Sequence, residues 1–92
     1  MITSFRHKGL ERFFSKGDYR GIPATFAPRI ERMLDALDAA PRPEDMDLPG
    51  FRFHPLAGDR KGSCSVTVSG NWRITFRFDG KHAIEVNFED YH

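Results

Sequence analysis

The sequence predicts an α+β domain, with an N-terminal strand and two amphipathic helices packed on one face of a small antiparallel sheet. Three observations carry this. Apolar residues recur at helical spacing in two stretches before residue 40. Strict apolar–polar alternation takes over after residue 50, and Gly-containing turns separate the alternating runs. Ninety-two residues hold one hydrophobic core and are too few for two, so residues 1–92 should form a single domain. Nine Phe suit a thin core built from a few large side chains.

In chain order, Ile2 to Arg6 reads as a short strand, with Thr3 and Phe5 on one face. Lys8 to Lys16 reads as a helix, because Leu10, Phe13 and Phe14 share a stripe and Gly17 is a natural C-terminal stop. Asp18 to Pro23 is a connection. A second helix carries Phe26, Ile30, Met33, Leu34 and Leu37 on its apolar side. Pro28 must lie in its first turn, which puts the N-cap near Thr25, and Pro41 ends it. Pro41 to Gly50 is a linker loop. Phe51–Pro55 reads as a strand with Phe51 and Phe53 inward, Arg52 and His54 outward, and Pro55 marking an edge. Gly58 to Gly62 is a basic loop, and Ser63 to Ser69 alternates with Cys64, Val66 and Val68 inward.

The next strand, Asn71 to Phe78, buries Trp72, Ile74, Phe76 and Phe78 and turns Arg73, Thr75 and Arg77 to the other side. Opposed residues of an antiparallel pair share a face. A three-residue loop at Ser69–Gly70–Asn71 satisfies this by setting Val68 against Trp72, Val66 against Ile74 and Cys64 against Phe76. The same reasoning makes Asp79–Gly80–Lys81 a loop and pairs Phe76 with Ile84 and Ile74 with Val86. The opposite sheet face then carries Arg52, His54, Ser65, Thr67, Arg73, Thr75, Arg77, Glu85 and Asn87, and function should be sought there.

Composition excludes several classes. The longest apolar run falls far short of the ~20 residues that span a bilayer, and no secretory leader pattern opens the chain. A single cysteine, Cys64, makes no intramolecular disulfide, so a reducing cytoplasm is the expected setting. No metal-ligand spacing, phosphate loop, dinucleotide fingerprint or nucleophile elbow is present, and no cofactor or metal is expected. Net charge is +1, but residues 1–34 carry seven Lys/Arg against three Asp/Glu and residues 51–78 five against one. Two basic blocks of this kind are suited to phosphate contact.

Two places bear chemistry. His54 leaves an outward strand position beside Arg73 and Arg77, and the last strand delivers Asp90, Tyr91 and His92 to the same side. Two imidazoles, a carboxylate, a phenol and guanidiniums on one wet face form a phosphodiester-cleaving set that works without metal. An imidazole exchanges protons near neutral pH, so one group takes the proton of a 2′-hydroxyl while another protonates the leaving 5′-oxygen. Arginine neutralises the charge that develops on phosphorus oxygens, and tyrosine stacks on a base or bonds to phosphate. Which histidine is acid and which is base stays open. Arg52, Arg60, Lys61 and Arg77 are the candidate RNA contacts. His7 and His82, near element ends, read as surface residues, and Cys64 as a small apolar group.

Phe5-Arg6-His7-Lys8-Gly9-Leu10, Phe53-His54-Pro55-Leu56, Gly58-Asp59-Arg60, Asn71-Trp72-Arg73-Ile74-Thr75-Phe76 and Glu89-Asp90-Tyr91-His92 together resemble the HigB-like branch of the RelE superfamily of bacterial toxins, over essentially the whole chain. The resemblance implies a RelE-like fold and a ribosome-dependent endoribonuclease that cleaves messenger RNA in the decoding site. It also implies a helix-turn-helix antitoxin partner of the HigA type. By position it assigns His54, Asp90, Tyr91 and His92 to the catalytic cluster and Arg73 to the basic residue beside it. The family often has a lysine three residues after the histidine, where this chain has Ala57; Arg60 and Lys61 are the cations of the next loop. Ser63-Cys64 also replaces a bulkier pair common in relatives. Two other readings stand beside this one: a gyrase-binding toxin without nuclease activity, and an inactive relative.

Overall fold

The stripe Leu10, Phe13, Phe14 winds Lys8–Lys16 into helix α1 of the computed structural model, which describes residues 1–91. Gly17, in the left-handed region at φ 71°, closes the helix by donating its N–H to the Phe13 carbonyl at 2.9 Å. His7 is no idle surface residue. Its Nδ1 accepts the Leu10 N–H at 3.1 Å and caps the helix, and its ring meets Phe88 edge-on at 5.8 Å. Gly9 and Gly21 touch so closely that a Cβ on Gly9 would lie 2.5 Å from the Gly21 carbonyl oxygen, which docks the following connection onto α1.

Helix α2, Ala27–Ala39, places Pro28 in its first turn as the sequence requires. A 3₁₀ turn over Ala24–Phe26 precedes it, so the N-cap is Phe26 rather than Thr25 and no side chain caps the helix. Ile30, Met33, Leu34 and Leu37 are buried along its inner face with Leu10. Residues 41–50 do more than link. Pro43–Met46 forms a 3₁₀ turn that inserts Met46 into the core with no exposed surface.

Four strands, β1 (His54–Pro55), β2 (Cys64–Ser69), β3 (Trp72–Asp79) and β4 (His82–Asp90), form an antiparallel sheet in the order β1-β2-β3-β4. The helices cover one face, where Val66, Ile74, Phe76, Val86 and Phe88 join the helical core. The expected N-terminal strand is reduced to two isolated parallel bridges, Ile2 with Ala83 and Phe5 with Val86. β4 bulges between these partners, so a regular ladder cannot run through them. At the bulge, Glu85 adopts φ 53° and its N–H is bonded by Ser4 Oγ at 2.9 Å.

Both hairpins turn on two residues, where three-residue loops were expected, and both carry a bulge. Cys64 opposes Phe76 and Val66 opposes Ile74 as expected, but Ser69, not Val68, opposes Trp72. The turn is the two residues Gly70–Asn71, and Val68 is the extra residue of a bulge. Asp79 opposes His82 across a two-residue turn, Arg77 opposes Ile84, and Ile74 opposes Phe88 rather than Val86. The bulge in β2 restores the expected register beyond it, whereas the bulge in β4 carries the pairing two residues away from the expected one, with Ile84 opposite Arg77. Trp72 and Phe78, at the two ends of β3, are not core anchors. Phe78 is half-buried and Trp72 is 36% exposed, stacked on Phe88 at 4.9 Å.

The strand expected over Phe51–Pro55 is cut to its last two residues because Arg52 sits at φ 52°, which reverses the alternation. Phe51 remains buried, and its carbonyl accepts the Thr67 N–H at 2.8 Å. Arg29 of α2 locks this corner. Its guanidinium donates to the carbonyls of Val68 (2.8 Å), Gly50 (2.6 Å) and Thr67 (3.0 Å) and lies over the Phe51 ring.

Two outcomes are expected. Replacing Arg29 by Met strips three carbonyls of a charged donor and should cost about 2–3 kcal/mol, read as a lower urea midpoint at unchanged slope. Burial, reinforced by the Arg12 charge, lowers the His7 pKa below its ordinary 6.5. Its stabilisation is therefore complete above pH 6.5 and is lost as pH falls through the lowered folded value. His7→Asn keeps a capping acceptor without the titration, so its stability should fall less than wild type's between about pH 7 and pH 5.

Candidate functional site

On the sheet face away from the helices lies an open cleft of about 400 Å³, lined by Arg52, Phe53, His54, Thr67, Arg73 and Tyr91. Three elements build it. The left-handed turn at Arg52 and the edge strand β1 contribute Arg52, Phe53 and His54, with His54 opposite Ser65 of β2. Thr67 and Arg73 are opposed across β2 and β3. Tyr91 follows β4 and is fixed by its own N–H, which donates to the Asn71 carbonyl at 2.8 Å in the β2–β3 turn.

The face is polar but not bare. Ser65 and Thr75 are buried on it, at 0% and 2% exposure. Arg73 Nη1 donates to Thr67 Oγ1 at 3.0 Å, and its guanidinium lies 5.5 Å from the Tyr91 ring centre. Arg60 approaches the same ring at 5.7 Å. The phenol therefore sits within cation–π range of two arginines. Buried Arg73 Nε has no partner among the described residues.

Of the residues assigned to catalysis from sequence, the fold gathers His54, Arg73 and Tyr91 around one cleft. Asp90, expected on the same side as His54 and Arg73, opposes Trp72 in the β3–β4 ladder and so lies on the Trp72 side of the sheet, because Glu89 takes the position opposite Arg73. His92 lies outside the described residues. Of the four expected RNA contacts, Arg52 lines the cleft and Lys61 is exposed in the loop beside it. Arg60 forms a bidentate pair with Glu89, both bonds 2.9 Å. Arg77 pairs with Glu85 at 3.5 Å and donates to the Lys61 carbonyl at 3.3 Å. Cys64 faces the core, and burial raises its thiol pKa, as suits an inert residue.

Sequence reasoning missed Glu89. Its Oε2 also accepts from Thr75 Oγ1 at 2.6 Å and from Asn87 Nδ2 at 3.4 Å, so one carboxylate ties the Gly58–Arg60 turn to two strands. Asn87 was placed on this face, and a step of two along the strand leads to Glu89. The Arg60 bonds, helped by Thr75, lower its pKa from 4.5 to about 2. The stabilisation is thus complete above pH 4.5 and is lost as pH falls toward 2. Glu89→Gln should cost about 2 kcal/mol at neutral pH and flatten the acid limb of a urea-unfolding pH series.

The sequence matches, over residues 3–92, the family model described as the RelE-like toxin of the type II toxin–antitoxin system HigB. A protein named Endoribonuclease HigB, from Proteus vulgaris, is 47% identical over 92 residues, the whole of both chains. One named Toxin HigB-1, from Vibrio cholerae serotype O1, is 36% identical over 80 residues, 85% of this chain and 84% of that one. A family model that spans nearly the whole chain, a full-length relative, and an α+β fold with two helices on a four-stranded antiparallel sheet agree: the chain belongs to the HigB-like family of RelE-like type II toxins.

Proposed function

We propose that the chain is a toxin endoribonuclease that cleaves messenger RNA on the ribosome by general acid–base transfer and so arrests translation and growth. The observation that carries this reading is the convergence of His54, Arg73, Tyr91 and Arg52 on one open cleft. The full-length likeness to a protein named Endoribonuclease HigB supports it.

In this mechanism a base takes the proton of the 2′-hydroxyl, and the 2′-oxygen attacks phosphorus. The bond from phosphorus to the 5′-oxygen breaks, and an acid protonates that oxygen, leaving a 2′,3′-cyclic phosphate and a 5′-hydroxyl. His54 and His92 hold the two proton-transfer roles, and Asp90 orients or activates. Arg73 stabilises charge on the non-bridging oxygens from a position preset by Thr67. Tyr91 stacks on a base or bonds to phosphate, and Arg52 and Lys61 meet the RNA backbone. The partners are an antitoxin of the HigA helix-turn-helix type and the ribosomal decoding site. The reaction belongs in the cytoplasm; among the described residues no helix is long and apolar enough to cross a membrane.

Induction of the wild type, His54→Ala, His92→Ala and Arg73→Ala, with primer extension on a reporter message, tests this. The wild type should arrest growth and cut the message, and each variant should lose about 10²-fold or more in cleavage. Equal cleavage by all four would sink the assignment. Blocked gyrase supercoiling with intact messages would transfer the chain to the gyrase-binding reading, and harmless induction to the inactive one.

A further inference from the structure

We propose that Arg60 serves the reaction through Glu89: by holding that carboxylate it keeps Arg73 available to the scissile phosphate. Arg60 is then a positioning residue, not an RNA contact. The inference rests on the reading of Arg73 as a phosphate-binding group given above.

Arg73 and Glu89 are direct partners in the β3–β4 ladder. Opposed residues of an antiparallel pair share a face and lie about 5 Å apart at Cα, close enough for long side chains to meet. Yet none of the ion pairs among the described residues includes Arg73. Among the described residues its contacts are a hydroxyl and an aromatic ring, both neutral, and its Nε has no partner there. Glu89 instead accepts two bonds from Arg60, one from Thr75 and one from Asn87. Both oxygens are thus engaged, Oε1 by Arg60 and Oε2 by Arg60, Thr75 and Asn87, and the charge already has its counter-ion.

Without Arg60, Glu89 Oε1 loses its donor and the charge loses its counter-ion. The nearest cation by register is Arg73, which also has an N–H without a partner among the described residues. A bidentate Arg73–Glu89 pair would withdraw the guanidinium from the cleft and neutralise it. One carboxylate faces two arginines, and the choice between them decides which arginine keeps its charge for substrate.

Four proteins test this: wild type, Arg60→Gln, Glu89→Gln and the double variant, each checked for cooperative thermal unfolding. Cleavage of a ribosome-bound message should fall about tenfold in Arg60→Gln, stay near wild type in Glu89→Gln, and recover in the double variant. A double variant as poor as Arg60→Gln would overturn the proposal, because Arg60 would then touch RNA itself. A second readout needs no activity. By carboxyl ¹³C titration, Glu89 in Arg60→Gln should still titrate below an ordinary glutamate, because Arg73 has replaced Arg60, and should rise in Arg60→Gln/Arg73→Gln, where only the neutral donors Thr75 and Asn87 are left. An ordinary Glu89 titration in Arg60→Gln itself overturns the proposal. If the wild type cleaves no message, the function proposed above fails, while the carboxyl titration still decides this inference.

Discussion

One inserted residue in β4 determines what each face of the sheet contains. Side chains alternate along a strand, so an uninterrupted β4 starting with Ala83 inward would bury Glu85, Asn87 and Glu89 and expose Val86 and Phe88. The bulge at Glu85, with its φ of 53°, resets the alternation. Beyond it Val86 and Phe88 enter the core, while Asn87 and Glu89 join the polar face opposite Thr75 and Arg73. The bulge also meets the N-terminal segment, whose Ser4 hydroxyl and carbonyl bond Glu85 and Val86. Core, N-terminus and cleft therefore depend on one local irregularity.

Sequence reading recovered what depends on periodicity. The span of α1, the Gly17 stop, the inner stripe of α2 and the inward set Cys64, Val66, Ile74 and Phe76 all follow from spacing and burial. What it missed depends on positive backbone angles at residues that carry side chains. Arg52 and Glu85 adopt left-handed conformations that are uncommon for non-glycine residues, and nothing in their side chains announces this. Matching apolar faces led to three-residue loops because it allowed for no bulge, and it took Ile84 as inward where the structure sets it opposite Arg77. Trp72 was misplaced for a different reason. Alternation gives the side of a sheet and not the extent of its cover, and at the start of β3 Phe88 is, among the described residues, the one ring on which Trp72 stacks.

The candidate site was legible as a face more than as a set of bonds. His54, Arg73 and Tyr91 could be placed together because each has a definite strand position or follows one. Arg60 could be named only as a nearby cation, since its role is set by a partner 29 residues away. The structure divides the arginines of the face by partner. Arg60 and Arg77 are held by carboxylates and Arg29 by carbonyls, whereas Arg73 and Arg52 open on the cleft. Charge count along the chain therefore overstates the charge presented to a polyanion, and neighbours decide which cations remain for it.

The same division accounts for where rigidity lies around the cleft. Glu89 fastens the Gly58–Arg60 turn from one side, Arg29 fastens the Phe51–Arg52 corner from the helix layer, and the Asn71 carbonyl holds the Tyr91 backbone. Three fixed attachments surround Arg73, which is itself preset by a neutral hydroxyl. A cation held by neutral groups keeps its full charge and needs little rearrangement when an anion arrives, and that is the condition under which a guanidinium stabilises developing charge most effectively. The polar face is thus organised to keep one arginine in place without neutralising it.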